Sequence, residues 1–363
     1  MTNPFERWAA DGAGVEAGSE VVTGPTYPAN VSGVTARQAR HAVDSFRGMS
    51  VAAPRVGVMT TTEVTQGPVP DVAAEAADTV PAMRAPSRPP ALSPSRANDF
   101  MQCPLLFRFR TVDRLPEPPS AAAARGTLVH AVLERLYDAP LGDRTLAAAH
   151  DLLPGEWDRL LEADDRYATL FTDGVGPDGQ DRAGWLAGAG SLLGTYFTLE
   201  DPNRLEPAER ELLVESQLDG GPLLRGIVDR LDVAPTGAVR VVDYKTGRSP
   251  RPGYESSAVF QMRFYGLVLW RERGVLPKML QLVYLGDGQV LRGEPTAEQL
   301  EHTEQKIRAI WSAIEDSART GEWKPRRSKL CGWCAHQAMC PEFGGTPPQV
   351  PEGAVELRLG ITG

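Results

Sequence analysis

The chain has 363 residues, 42% hydrophobic and 23% charged, with a net charge of −9 and only four cysteines. That is room for one large domain or two modest ones. No apolar run reaches the roughly 18 to 20 residues of a membrane helix, and the start, MTNPFERWAADGAG, has no basic end followed by an apolar stretch. Neither a membrane span nor a signal peptide is expected, and the expected location is the cytoplasm. In that reducing compartment the cysteines are expected as ligands, reactive thiols or buried small residues rather than disulfides. The acidic balance weighs against a generic nucleic-acid binder but allows a basic groove on an acidic surface.

Residues 1–92 are rich in Ala, Gly, Pro, Ser and Val and contain neither Lys nor Cys. They read as a mostly disordered extension with one possible helix, TARQARHAVDSFR. A misplaced start site would give the same impression for part of the segment. Order is expected from LSPSRANDFMQCPLLFRFR, where serine caps precede an apolar spacing. Residues 120–138 predict an amphipathic helix, with Val129, Val132, Leu133 and Leu136 at helical spacing. Residues 142–200 read as helices with loops, the last helix over 184–199. From Glu209 the period changes to that of strands. ERELLVESQLDG, PLLRGIVDRLDVAP and AVRVVDYKTG are separated by Gly220-Gly221 and by Pro235-Thr236-Gly237. A helix over 256–273 follows. Next comes a strand pair turning at Asp287-Gly288, then a long helix, TAEQLEHTEQKIRAIWSAIEDSART. The organisation expected is an extension (1–92), one domain (93–346) and a C-terminal tail (347–363).

Chemistry concentrates in GIVDRLDV and VVDYKTG. A period of two puts Asp243 and Lys245 on one face, and Asp229 reaches them if the strands are neighbours. Two carboxylates at a strand end suit a hard divalent cation, which would polarise a phosphate and activate a water, with the lysine stabilising developing charge. A surface strand with scattered charges is the plain alternative. Upstream, Gly126 permits close approach of another group. His130 shares a helical face with Glu134; a lone helical histidine is more often structural than a ligand. Downstream, Gln261 and Tyr265 lie one helical turn apart and could bind a phosphate or buttress the lysine.

Cys331, Cys334 and Cys340 form C-x₂-C-x₅-C, and Cys103 lies far upstream. Four thiolates can hold a [4Fe–4S] cluster or Zn²⁺, and spacing alone leaves both open. Basic residues flank these segments: Arg108 and Arg110, Arg248 and Arg251, and Lys324, Arg326, Arg327 and Lys329. Phe107, Phe109, Trp323 and Trp333 lie among them. Such a mixture suits single-stranded nucleic acid; solvated basic turns with aromatics in the core are the alternative.

Gly126-x-x-x-His130, Gly226-x-x-Asp229, Asp243-x-Lys245 and Gln261-x-x-x-Tyr265, in that order, resemble the RecB-family nucleases of the PD-(D/E)XK superfamily. The resemblance covers residues 92–343. It implies an α/β fold with a restriction-endonuclease-like core, a central mixed sheet flanked by helices. A helical insertion and a C-terminal cysteine cluster closing onto the N-terminal part of the domain complete it. It also implies that His130, Asp229, Asp243 and the carbonyl of Tyr244 bind Mg²⁺ or Mn²⁺. Lys245 would support the attacking water, and Gln261 and Tyr265 would position the substrate strand. A subset that includes the AddB nuclease domain and the CRISPR-adaptation exonucleases carries one cysteine before the histidine motif and three after the last motif. By that resemblance Cys103, Cys331, Cys334 and Cys340 hold a structural [4Fe–4S] cluster, with Zn²⁺ as the alternative and His336 a bystander. The activity implied is a metal-dependent DNA exonuclease of repair or recombination, acting on DNA that is single-stranded or has free ends. No Gly-x-x-x-x-Gly-Lys-[Ser/Thr] loop is present, so a motor would come from a separate helicase. The rival is a non-catalytic nucleic-acid-binding subunit that keeps the fold and the cluster.

Overall fold

The computed structural model describes residues 89–362, except 172–173, 177–178 and 252. The helix expected at 35–47 and nearly all of the expected extension lie outside the described residues. The chain enters by pairing with the sheet: Leu92 N–H donates to the Leu223 carbonyl, and Arg225 N–H donates to Leu92. Helix α1 (Pro94–Gln102) begins where Ser93 accepts the Arg96 N–H and proline takes the first helical position. The short helix α2 (Pro104–Phe107) runs into a π-helical turn over Arg108–Val112.

Three helices form the expected insertion. They are α3 (Ala121–Leu136), α4 (Leu146–Ala163) and α5 (Arg182–Leu199), capped by Ser120, Thr145 and Asp181. Helix α5 starts two residues before the sequence expectation because the Asp181 side chain accepts the Gly184 N–H. Five strands follow: β1 (Glu209–Gln217), β2 (Leu223–Val233), β3 (Val239–Lys245), β4 (Met279–Tyr284) and β5 (Gln289–Gly293). They lie in sequence order and are antiparallel except for the parallel β3/β4 pair. A parallel pair needs a crossover, and helix α6 (Ser256–Arg273) supplies it. Helix α7 (Ala297–Thr320) opens with a capping box of Thr296 and Gln299. Among the described residues no helix is long and apolar enough to cross a membrane.

The sheet is covered on both faces, and its central strands show it by alternation. Val239 and Val241 of β3 and Leu280, Leu282 and Tyr284 of β4 join a core with α1, α2, α6 and α7. Val242, Tyr244 and Val283 join a second core with α3, α4 and α5. The segment expected as a tail is packed: helix α8 (Ala354–Leu359) buries Ala354 and Leu359 in the first core.

A buried polar cluster fixes the insertion to the sheet. The Arg230 guanidinium, 1% exposed, pairs with Glu200 at the end of α5 and with Asp232. It also donates to the hydroxyls of Tyr137 and Tyr244. Burial pushes the Glu200 carboxyl up, but the Arg230 bonds outweigh it and hold it below its usual range.

Candidate active site

The strand registers bring three carboxylates into one row. Pairs Arg210↔Arg230 and Leu212↔Val228 place Glu211 opposite Asp229. The pair Arg230↔Val242 places Asp243 opposite Asp229 on the other side. Glu211 sits at φ 45°, a left-handed conformation that costs a non-glycine residue about 1 kcal/mol. Between β2 and β3, the Asp229 side chain takes a ladder group: Tyr244 N–H donates to Asp229 Oδ2 at 2.6 Å.

Helix α3 delivers His130 to this row. Its Nδ1 lies 3.5 Å from Asp229 Oδ2. The close approach uses Gly126, where an added Cβ would stand 3.3 Å from Thr246 Oγ1. One ligand atom each from His130, Glu211 and Asp229 lie within 4.8 Å of one another. An imidazole and two carboxylates could hold a divalent cation in that space, with hard oxygen donors in the majority. Glu134, on the same helical face as His130, remains exposed.

Asp243 belongs to a second, adjoining group. It is 2% exposed. Its Oδ1 accepts from Gln261 Nε2 at 2.9 Å. Its Oδ2 lies 2.6 Å from Lys245 Nζ, an ion pair whose direction leaves that oxygen without a hydrogen bond. Lys245 Nζ donates to Gln261 Oε1 at 2.9 Å, so the Gln261 amide is oriented at both ends. Gln261 Nε2 also donates to Tyr265 Oη at 3.0 Å. The Tyr265 ring in turn lies on Gly226, where an added Cβ would meet Cε1 at 2.5 Å. The Gly-x-x-Asp glycine is therefore a seat for the tyrosine four residues beyond Gln261.

Every residue expected at the site is here: His130, Asp229, Asp243, Tyr244, Lys245, Gln261 and Tyr265. The Tyr244 ring is buried in the second core, and its backbone N–H reaches Asp229. The arrangement adds Glu211, which the sequence reading missed. Glu211 stands among Glu209 and Glu215 in one strand and has no local spacing to Asp229, 18 residues on. Counting the antiparallel register back from the Gly220-Gly221 turn would have placed it opposite Asp229.

Two of the three carboxylates are raised. Burial, then the Asp229 charge, pushes Glu211 up to about 7, against a pull from His130. Burial and Asp229 also raise Asp243, opposed by Lys245. For His130 burial favours the neutral ring, but the hydrogen bond and charge of Asp229, helped by Asp243 and Glu211, push it up to about 9. Such mutual repulsion is what a bound cation relieves.

Cys103 and the three C-terminal cysteines are partly buried and free. Burial raises the Cys340 thiol, and Cys103, Cys334 and Cys331 are close enough to raise it further. The Arg326 N–H donates to Cys103 Sγ at 3.4 Å and the Ser328 N–H to Cys331 Sγ at 3.3 Å. The four thiols come from both ends of the domain, and thiolates are the donors that Zn²⁺ or a [4Fe–4S] cluster takes. His336 is 1% exposed, and its Nε2 lies 2.8 Å from Glu117 Oε1.

The basic and aromatic flanks divide. Arg108 is buried and paired with Asp113, and Arg110 is paired with Asp99 and Glu117. Phe107, Phe109 and Trp323 are core residues, Phe107 stacked on Trp323. Arg248, Arg251 and Trp333 are exposed.

The chain is similar to several known proteins. The chain is 23% identical over 290 residues to the Gene 69 protein of Mycobacterium phage L5, spanning 70% of this chain and 97% of the relative. It is 25% identical over 289 residues to the Gene 69 protein of Mycobacterium phage D29, with the same shares. A crystal structure from Eubacterium rectale, provisionally described as an exonuclease, aligns with a TM-score of 0.42 and 14% identity over 75% of this chain and 94% of that one. The model of the PD-(D/E)XK nuclease superfamily matches residues 91–341, the whole span from the first sheet contact to the last cysteine. With most of its length so matched, and a mixed five-stranded sheet carrying Asp229, Asp243 and Lys245 at its centre, the chain belongs to the PD-(D/E)XK nuclease superfamily.

Proposed function

We propose that the protein is a divalent-metal-dependent DNA exonuclease. The observation that carries this reading is the meeting of His130, Glu211 and Asp229 within 4.8 Å, next to a lysine held by Asp243 and Gln261. A Mg²⁺ or Mn²⁺ ion bound there would supply Lewis acidity toward a phosphate oxygen and a water. His130, Glu211 and Asp229 would hold that ion, and Asp243 and the Tyr244 carbonyl are the further ligands the reading names. The ligand atoms must be deprotonated to serve, so His130 would have to be neutral to hold the ion. Lys245 donates to the attacking water and stabilises charge developing on the phosphate. Gln261 holds Lys245 and Asp243 at fixed spacing. Tyr265 fixes Gln261 and through it helps to position the substrate strand.

The four cysteines, in the same reading, hold a [4Fe–4S] cluster that ties Cys103 to the C-terminal segment; Zn²⁺ is the other occupant the donor set allows. The role is structural, since phosphodiester hydrolysis transfers no electron. Repair or recombination of DNA with single strands or free ends, beside a separate helicase, is the setting proposed.

The test is cleavage of end-labelled single- and double-stranded DNA, with Mg²⁺ and with Mn²⁺, by anaerobically purified protein. Wild type should shorten the strand from an end. Asp243→Ala should bind DNA and leave it intact. A wild type that binds but never cleaves would sink the enzyme and favour a binding subunit.

A further inference from the structure

We infer that Arg248, Arg251 and Tyr254, on the connection leaving β3, grip the substrate strand next to the reacting phosphate. The inference rests on the nuclease reading and assigns residues to strand binding that the metal site does not use.

The connection starts at Thr246, directly after Lys245, so whatever it holds lies beside the site. Its base is fixed. Leu285 N–H donates to the Lys245 carbonyl at 2.7 Å, and Gly286 N–H donates to the Gly247 carbonyl at 3.1 Å. An added Cβ on Gly286 would lie 2.6 Å from the Gly247 oxygen, so the two backbones touch. Asp287 Oδ2 accepts from both the Ser249 N–H, at 3.0 Å, and the Ser249 hydroxyl, at 2.7 Å. Glu255 Oε2 accepts from the Gly253 N–H at 2.8 Å. Asp287 and Glu255 thus bind the backbone of the connection, and neither forms an ion pair with its arginines.

What projects from this base is unpartnered. Arg248 and Arg251 are exposed, and among the described residues neither guanidinium has an ion pair or side-chain hydrogen bond. Tyr254 is 76% exposed. No Asp or Glu occurs from Thr246 to Tyr254, in a chain whose net charge is −9. Two free guanidiniums three residues apart suit successive phosphates, and a free ring suits a base. Arg108, Phe107, Phe109 and Trp323 offer the same residue types but are buried, and Arg110 is ion-paired with Asp99 and Glu117. The occupant this surface fits is a single nucleic-acid strand, whose bases are unstacked enough to lie on Tyr254.

The test uses the full chain in EDTA, so that nothing is cleaved, with a dye-labelled single-stranded oligonucleotide followed by anisotropy. Arg248→Ala/Arg251→Ala should weaken binding. It should also lower the slope of log K against log salt by about 1.4, that is about 0.7 for each single-strand phosphate contact. Tyr254→Ala should weaken binding at least about fivefold, the low end for one stacked base, and Tyr254→Phe should not. With Mn²⁺ added, the variants should lose more activity on the oligonucleotide than on thymidine 5′-p-nitrophenyl phosphate, which has no strand to grip. Unchanged affinity and salt slope in a protein that cleaves DNA would overturn the strand assignment alone. A wild type that binds the oligonucleotide through these residues but cleaves nothing would leave it standing and remove the catalytic reading.

Discussion

Gly226→Ala tests how the site is built. An added Cβ would stand 2.5 Å from Tyr265 Cε1 and 3.0 Å from Cδ1. Ordinary carbon contacts are roughly 3.5 to 4.0 Å, so the ring must retreat by about 1 Å. Tyr265 is 6% exposed and belongs to the first core, which leaves little room. Overpacking of this kind costs about 1–3 kcal/mol. Losing the Gln261–Tyr265 hydrogen bond adds about 1 kcal/mol. The larger effect falls on activity. Gln261 holds both Lys245 and Asp243 at 2.9 Å, and displacement of reacting groups by about 1 Å can cost about 100-fold in rate. The assay is a double-mutant cycle: urea unfolding of wild type, Gly226→Ala, Tyr265→Leu and the pair. The alanine should cost little in the Tyr265→Leu background, where the Tyr265 Cε1 and phenol have been removed. An equal cost in both backgrounds would refute the seat described here.

Three other outcomes are expected. Arg230→Met strands the buried Glu200 carboxylate and should destabilise the protein by about 3–5 kcal/mol in urea, with much of the loss recovered in Arg230→Met/Glu200→Leu; a single-variant cost below about 1 kcal/mol would show that the cluster does not pin the insertion. In metal-free protein, His130 is raised to about 9 from 6.5, so its contribution is full below pH 6.5 and lost as pH rises through about 9. Glu211 is raised to about 7 from 4.5 and also loses stability as pH rises. Mn²⁺ should therefore raise Tm more at pH 8.5 than at pH 6, and an equal rise at both would contradict the ligand set. Finally, Cys103→Ser should lose the bound metal and loosen the domain, whereas His336→Asn should keep its metal content, read by elemental analysis and visible absorption.

Much of this was legible in the residues because it is local. Alternation in VVDYKTG put Asp243 and Lys245 on one face, and that pairing is an ion pair at 2.6 Å. Helical spacing linked Gln261 to Tyr265, and a hydrogen bond joins them. Turn residues marked the strand boundaries, and a serine cap marked the start of α1. The order of weak motifs pointed to a superfamily that the chain proves to belong to.

What the chain order could not carry is what crosses between strands. Glu211 becomes a partner of Asp229 only through an antiparallel register set by a turn, and its sequence neighbours give it no distinction. Gly226 was only the first letter of a motif, and packing is what sets the Tyr265 ring on it. Arg108, Phe107 and Trp323 looked like a nucleic-acid surface, and burial made them core, whereas Arg248, Arg251 and Tyr254 stayed in solvent. Composition and period determine which faces are apolar and where charges fall along an element. Which of those charges meet, and which are left without partners, depends on contacts between residues far apart in the chain, and only the packed sheet and helices decide it.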